Sequence, residues 1–102
     1  MAFLDLMPPI GSQADLSGLI IFQAGHFDAL ATVLVIPCRA PETSPDLGKL
    51  TPVLSVNGTR HRAFLSEMAA VPRSILKGPP LGTARDHRDR LVAALDLLVL
   101  GW

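Results

Sequence analysis

Two histidine-centred clusters hold the side chains of this chain whose types could do chemistry. His61 lies between Arg60 and Arg62, and His87 lies among Asp86, Arg88 and Asp89. An imidazole beside a cation is the equipment for cleaving a phosphodiester, one group moving the proton and the other holding the charge that develops on phosphate. Cys38, the only cysteine, follows Pro37. A thiol becomes a nucleophile when a base or cation stands beside it, but the sequence places no base there, so Cys38 reads as a small buried hydrophobe. No His, Cys, Asp and Glu spacing matches a metal site. Gly78 to Gly82 lacks the Lys and the following helix start of a phosphate loop, and reads as turns. No cofactor is expected.

Whether either cluster converges depends on the elements that carry it. Nine Pro and eight Gly cut the chain into short pieces, which favours a mainly β (α+β) domain over a helix bundle. Strands are expected at Met1 to Leu6, stopped by Pro8-Pro9, at Gly18 to Gln23, and at Thr32 to Pro37, where Val33-Leu34-Val35-Ile36 is aliphatic and mostly β-branched. Gly11 to Ser17 is turn-like and Pro41 to Gly48 a polar loop. Asn57-Gly58, between Pro52 to Val56 and Thr59 to Leu65, predicts a two-residue type I′ hairpin. Such a turn sets Leu54 opposite His61, Ser55 opposite Arg60 and Val53 opposite Arg62. His61 then shares a face with Leu54 and Ala63, while Arg60 and Arg62 share the other, so this cluster does not converge. Ser66 to Ala70 suggests one helical turn, and Arg73 to Lys77 a sixth strand closed by Gly78-Pro79-Pro80.

From Ala84 to Val99 there is neither Gly nor Pro, and Ala, Leu and Arg dominate, so a helix is expected throughout. Thr83 with Asp86 resembles a capping box, and Gly101 stands where a left-handed helix-ending residue belongs. His87, near the start of that helix, reads as making contacts within it. Leu91, Leu95 and Leu98, flanked by Ala94, form a stripe that can lie on a sheet. Val92, Leu97, Val99, Leu100 and Trp102 are left over. Apolar residues around the whole circumference need a second covering surface, and in a chain this short another protein chain is the expected one.

Composition narrows the classes further. The 102 residues are 49% hydrophobic and 18% charged, with nine basic residues against nine acidic ones. Disorder is excluded, because disordered chains combine low hydrophobicity with high net charge. A net charge of zero argues against direct nucleic-acid binding and against an RNA substrate, which would draw on a basic groove. Leu16 to Cys38 is apolar, yet Gln23, Gly25, His26 and Asp28 interrupt it, so no membrane span is expected. The start has no basic residue ahead of its apolar stretch, which does not support a secretory signal. One domain over residues 1–102, with a cytoplasmic location, is the expectation.

The chain resembles the CcdB family, the toxin half of a bacterial toxin–antitoxin pair. The resemblance rests on Gln23, Val35-Ile36-Pro37, Pro52-Val53 leading into the hairpin, Met68-Ala69-Ala70-Val71-Pro72, Ser74-Ile75 and the ending Leu97 to Gly101. It covers roughly residues 19–102 plus Met1 and Phe3, and not Met7 to Gly18. It implies an SH3-like β-barrel of the plasmid-maintenance toxin type with a C-terminal helix, assembled as a homodimer. It also implies a non-enzymatic poison of DNA gyrase that binds the A subunit and traps the cleaved complex, with a CcdA-like antitoxin as cognate partner. In the family, gyrase contact centres on a Trp-Gly-Ile chain end. Here Gly101 matches the Gly, Leu100 stands at the Trp position and Trp102 at the Ile position. Asp96 matches a polar position one turn earlier, and Phe27 keeps the apolar character of a pair in the loop after the second strand. The resemblance thus implies Phe27, Asp96, Leu100, Gly101 and Trp102 as gyrase-binding residues. Two other functions stay open: a barrel-type endoribonuclease, as in sibling toxins, and a diverged antitoxin-binding protein, suggested by the Trp-to-Leu100 change.

Overall fold

The computed structural model describes residues 1–10, 15–27 and 29–101; the His26 side chain, most of the expected turn at Gly11 to Ser17, and Trp102 lie outside what it describes. The described residues form seven strands and one α-helix: β1 Asp5–Met7, β2 Leu16–Ile21, β3 Thr32–Arg39, β4 Val53–Val56, β5 Thr59–Ala63, β6 Ala69–Pro72, β7 Gly82–Thr83 and α1 Arg88–Leu100. All pairings are antiparallel, in the order β4-β5-β3-β2-β1-β7, with β6 also pairing with β3. β3 is long enough to share one edge between two partners. Its Cys38–Arg39 end takes β5 and its Thr32–Val35 end takes β6. The sheet curls into a nearly closed barrel.

Where the ladder does not close, between β4 and β7, side chains bridge it. Asn57 Nδ2 donates to the Leu81 carbonyl at 2.6 Å. Gly82 lies so close to the hairpin that an added Cβ would stand 2.5 Å from Val56 Cγ1, so only hydrogen fits there.

The hairpin has the expected register, Val53 opposite Arg62 through Val56 opposite Thr59. Asn57 and Gly58 both take positive φ, +50° and +83°, as a type I′ turn demands. The barrel interior is filled by the even-numbered residues of the central strands, Leu6, Ile20, Ile36 and Cys38, with Leu54, Leu65, Leu91 and Ala94. A second cluster on the other side of the same strands contains Met7, Leu19, Ile21, Val33 and Val35 under Leu76. Burial on both faces explains why β3 reads as a continuous apolar run rather than an alternating one.

Four expectations need correction. The first strand is not Met1 to Leu6: residues 2–5 form a turn, closed by the Asp5 N–H donating to the Ala2 carbonyl and the Ala2 N–H donating to the Asp5 carboxylate. Leu4 takes φ +69°, an unfavourable conformation for a bulky residue. It is held by complete burial and by backbone bonds to Ile21 and Ala84. Second, Arg73 to Lys77 is not a strand. The strand is Ala69–Pro72, and Arg73–Ile75 is a 3-10 turn, because the Arg73 N–H and guanidinium donate back to the carbonyls of Ala31 and Leu30 and bend the chain away from β3. The helical turn expected at Ser66 to Ala70 is accordingly confined to a 3-10 turn at Leu65–Glu67. Third, the Thr83 hydroxyl accepts from the Arg85 N–H at 3.2 Å, a local turn rather than a capping box. Arg85–His87 is a 3-10 turn, and α1 starts only at Arg88. Fourth, the covered stripe of α1 is shorter than predicted. Leu91 and Ala94 are buried and Leu95 packs on the core, but Leu98 is 41% exposed.

Candidate functional site

The helix shows why its last turn differs from the first three. α1 packs against the turns at Gly48–Leu50 and Leu65–Glu67, and beyond Leu95 it runs past the barrel. Leu98, Val99 and Leu100 are exposed at 41%, 67% and 57%, while Val92 and Leu97 are half-buried. Three consecutive open aliphatic residues are an apolar projection that water does not favour. Gly101 closes the helix in the left-handed conformation, φ +85°, and its N–H donates to the Leu97 carbonyl at 3.1 Å. Among the sequence-predicted residues, Asp96, Leu100 and Gly101 therefore come together at one helix end, with Asp96 and Leu100 one turn apart on the same side. Phe27, 48% exposed, sits on the 3-10 turn Gly25–Phe27 between β2 and β3, a different element. That loop is tied down by Arg73, whose Nη2 reaches the Phe27 carbonyl at 3.5 Å.

A groove of about 870 Å³ adjoins Asp96, running between α1 and the Gly48–Leu50 turn. Pro52, Ala93 and Leu97 make it apolar, and Lys49, Arg90 and Asp96 give it charge. Sequence reading missed Lys49 and Arg90, for they are far apart in the chain and meet only when the helix docks.

The catalytic candidates have structural partners. His61 is 4% exposed inside the barrel, and its Nδ1 shares a hydrogen bond of 2.7 Å with the Ser17 hydroxyl. Burial lowers its pKa, because the cation would lose its water. Arg60 and Arg62 lie on the opposite side of β5 from His61, as the pairing requires. Arg60 faces Glu42 at 3.6 Å. Arg62 is more buried than an outward residue should be, since it lies beneath the 46–51 loop, with Nη1 at 3.3 Å from both the Thr51 carbonyl and the Asp46 carboxylate. His87 donates from Nε2 to the Ser55 carbonyl at 3.2 Å, so its main partner lies on β4 rather than within the helix. The Cys38 thiol is pushed up to about 12 by burial, far from the thiolate a nucleophile needs. Among the described residues, no three His, Cys, Asp or Glu side chains gather as metal ligands.

One further constellation is architectural. Arg39 reaches Asp15 at 2.8 Å and Glu67 at 2.9 Å, and lies over the Phe64 ring at 4.7 Å. The guanidinium lowers the pKa of Asp15 through their hydrogen bond, and Asp15 in turn raises that of Arg39. The arginine thus pins the start of β2 and the Leu65–Glu67 turn to β3.

His61 carries a pH prediction. Its folded-state pKa lies below the ordinary 6.5, so the unfolded chain takes up a proton that the folded chain refuses. Above about 6.5 both states are neutral and His61 contributes no slope; as pH falls below that value stability drops until the folded pKa is passed. Denaturation midpoints measured from pH 7 down to pH 5 should fall less in His61→Gln than in the parent. Equal slopes would contradict a buried neutral imidazole.

No helix among the described residues is long and apolar enough to cross a membrane. Comparison with curated proteins finds no match. The family model of the CcdB protein matches residues 8–101 of the 102, a span that takes in every strand but β1, the groove and the projecting helix end. The chain therefore belongs to the CcdB family, and with that it is the toxin of a toxin–antitoxin pair.

Proposed function

We propose that this toxin works without catalysis, as a homodimer that presents the ends of its two C-terminal helices to the A subunit of DNA gyrase and traps the cleaved gyrase–DNA complex. The observation that supports this reading is the bare helix end: Leu98, Val99 and Leu100 open to solvent, followed by a left-handed Gly101. Burying a Leu or Val side chain is worth roughly 1.5–3 kcal/mol, so a few such residues suffice to drive association with a protein surface. Asp96 supplies a polar contact one turn earlier, Phe27 an apolar one, and Trp102 an aromatic chain end able to lie on a cation. A CcdA-like antitoxin is the partner that neutralises the toxin. His61 and His87 belong to the frame rather than to a nuclease site, being engaged by hydrogen bonds within the barrel (His61) and at its edge (His87).

The test is to incubate the purified chain with gyrase, ATP and plasmid DNA and to denature the products. Linear DNA carrying covalently attached gyrase is the expected result. Loss of RNA with no DNA cleavage would replace gyrase poisoning with an endoribonuclease. Neither effect, with antitoxin binding retained, would leave a binding-only protein.

A further inference from the structure

β4 ends the sheet path, so one of its edges is hydrogen-bonded to no strand; β7 closes against that edge only at its Val56 end, where Asn57 reaches Leu81 and Gly82 lies against Val56. The hairpin register states which groups that edge presents. In a two-residue hairpin the pair flanking the turn, Val56 and Thr59, exchanges backbone bonds, and bonded pairs then alternate. Leu54 with His61 is bonded, and so is Pro52 with Ala63, whose N–H donates to the Pro52 carbonyl at 3.0 Å. Val53 and Ser55 therefore turn their backbone groups outward. Both outward carbonyls are taken by side chains from the start of the helix. Arg90 Nη1 donates to Val53 O at 2.7 Å, and His87 Nε2 donates to Ser55 O at 3.2 Å. The two donors also meet each other, Arg90 Nη1 lying 3.5 Å from His87 Nδ1. His87 ends the 3-10 turn that precedes α1 and Arg90 lies in the first turn of α1, so the two side chains reach successive outward carbonyls of β4 from one end of the helix.

An unprotected strand edge is a template for another strand, and charged side chains laid along it are a known way of blocking that. Val53-Leu54-Ser55-Val56 carries no charge of its own. We infer that His87 and Arg90 form an edge guard over β4, and that without it a second copy of this chain pairs its own β4 along that edge. The pairing is antiparallel about Leu54, with Val53 of each copy opposite Ser55 of the other, because those are the residues whose backbone groups face outward. The inference is independent of what the toxin binds; the guard sits at the start of the helix, where Arg90 also lines the groove that Asp96 adjoins.

The test compares three purified chains by light scattering over a range of concentrations, with circular dichroism to verify folding. His87→Leu combined with Arg90→Met keeps side-chain bulk but removes both donors. It should give species of at least twice the parent's molar mass, growing with concentration. Adding Ser55→Pro removes an outward N–H that the β4–β5 ladder does not use, and should return the mass to the parent's. A guard-less variant with the parent's mass at every concentration overturns the inference. So do large species that survive Ser55→Pro, since they would arise from another surface. Should that double variant lose its fold, His87→Ala combined with Arg90→Ala removes both donors without adding apolar bulk and reads the same edge, and a mass equal to the parent's there overturns the inference equally.

Discussion

Deleting Gly101 and Trp102 is expected to abolish growth arrest while leaving the folded chain nearly as stable as before. Gly101 is exposed, with nothing within 4 Å of where its Cβ would be. Its one backbone bond ties the helix end to the Leu97 carbonyl, and at an exposed terminus water replaces such a bond at little cost. Among the described residues, none beyond Ala94 and Leu95 belongs to the core. Toxicity, by contrast, rests in the proposed mechanism on the helix end as a binding surface, where a few anchors dominate affinity. The measurement pairs colony survival on induced expression with a thermal melt of the purified protein. A truncated chain that melts like the parent and still arrests growth would remove the helix end from the mechanism. Gly101→Ala is a milder companion: an alanine at φ +85° costs about 1 kcal/mol, so it should redirect the chain end and weaken toxicity without a comparable change in melting.

Leu91→Ala and Leu100→Ala make the second large contrast, two identical substitutions nine residues apart on one helix. Leu91 is fully buried in the barrel core, whereas Leu100 is 57% exposed. Truncating a buried leucine loses its transfer energy and leaves a cavity, about 2–5 kcal/mol, a large part of the stability of a chain this size. Truncating an exposed one changes the isolated subunit by no more than about 0.5 kcal/mol. Urea denaturation at low protein concentration should show this difference directly. If the proposed homodimer covers Leu100, its substitution becomes costly as concentration rises, because association stabilises only the folded state. Equal losses for the two variants in dilute solution would mean that the helix end is packed against its own barrel.

Much of this fold was legible because its signals are local. Asn57-Gly58 fixed a hairpin and its register, since two adjacent residues that tolerate positive φ leave the chain one tight way to reverse. That register also sets His61 on the opposite face from Arg60 and Arg62. Gly101 marked the helix end for the same kind of reason, a backbone conformation that few other residues adopt. The surplus of apolar residues after Leu95 was readable as a count against the one stripe a helix can bury.

What tertiary structure alone decided are the features that depend on a distant partner. Ala69–Pro72 is a strand although alanine is a poor strand former, because the free end of β3 offers it backbone bonds. Arg73 to Lys77 is not, because Arg73 is drawn back to the carbonyls before β3. Leu98 fits the apolar stripe by spacing, yet it is exposed because the barrel stops short of it. His87 and Arg90 look like members of a charged helical turn, and their carbonyl partners belong to a strand more than thirty residues earlier. The physical reason is common to all four. A turn is chosen by the steric limits of its own residues, whereas pairing and burial are chosen by whatever surface the rest of the chain brings alongside.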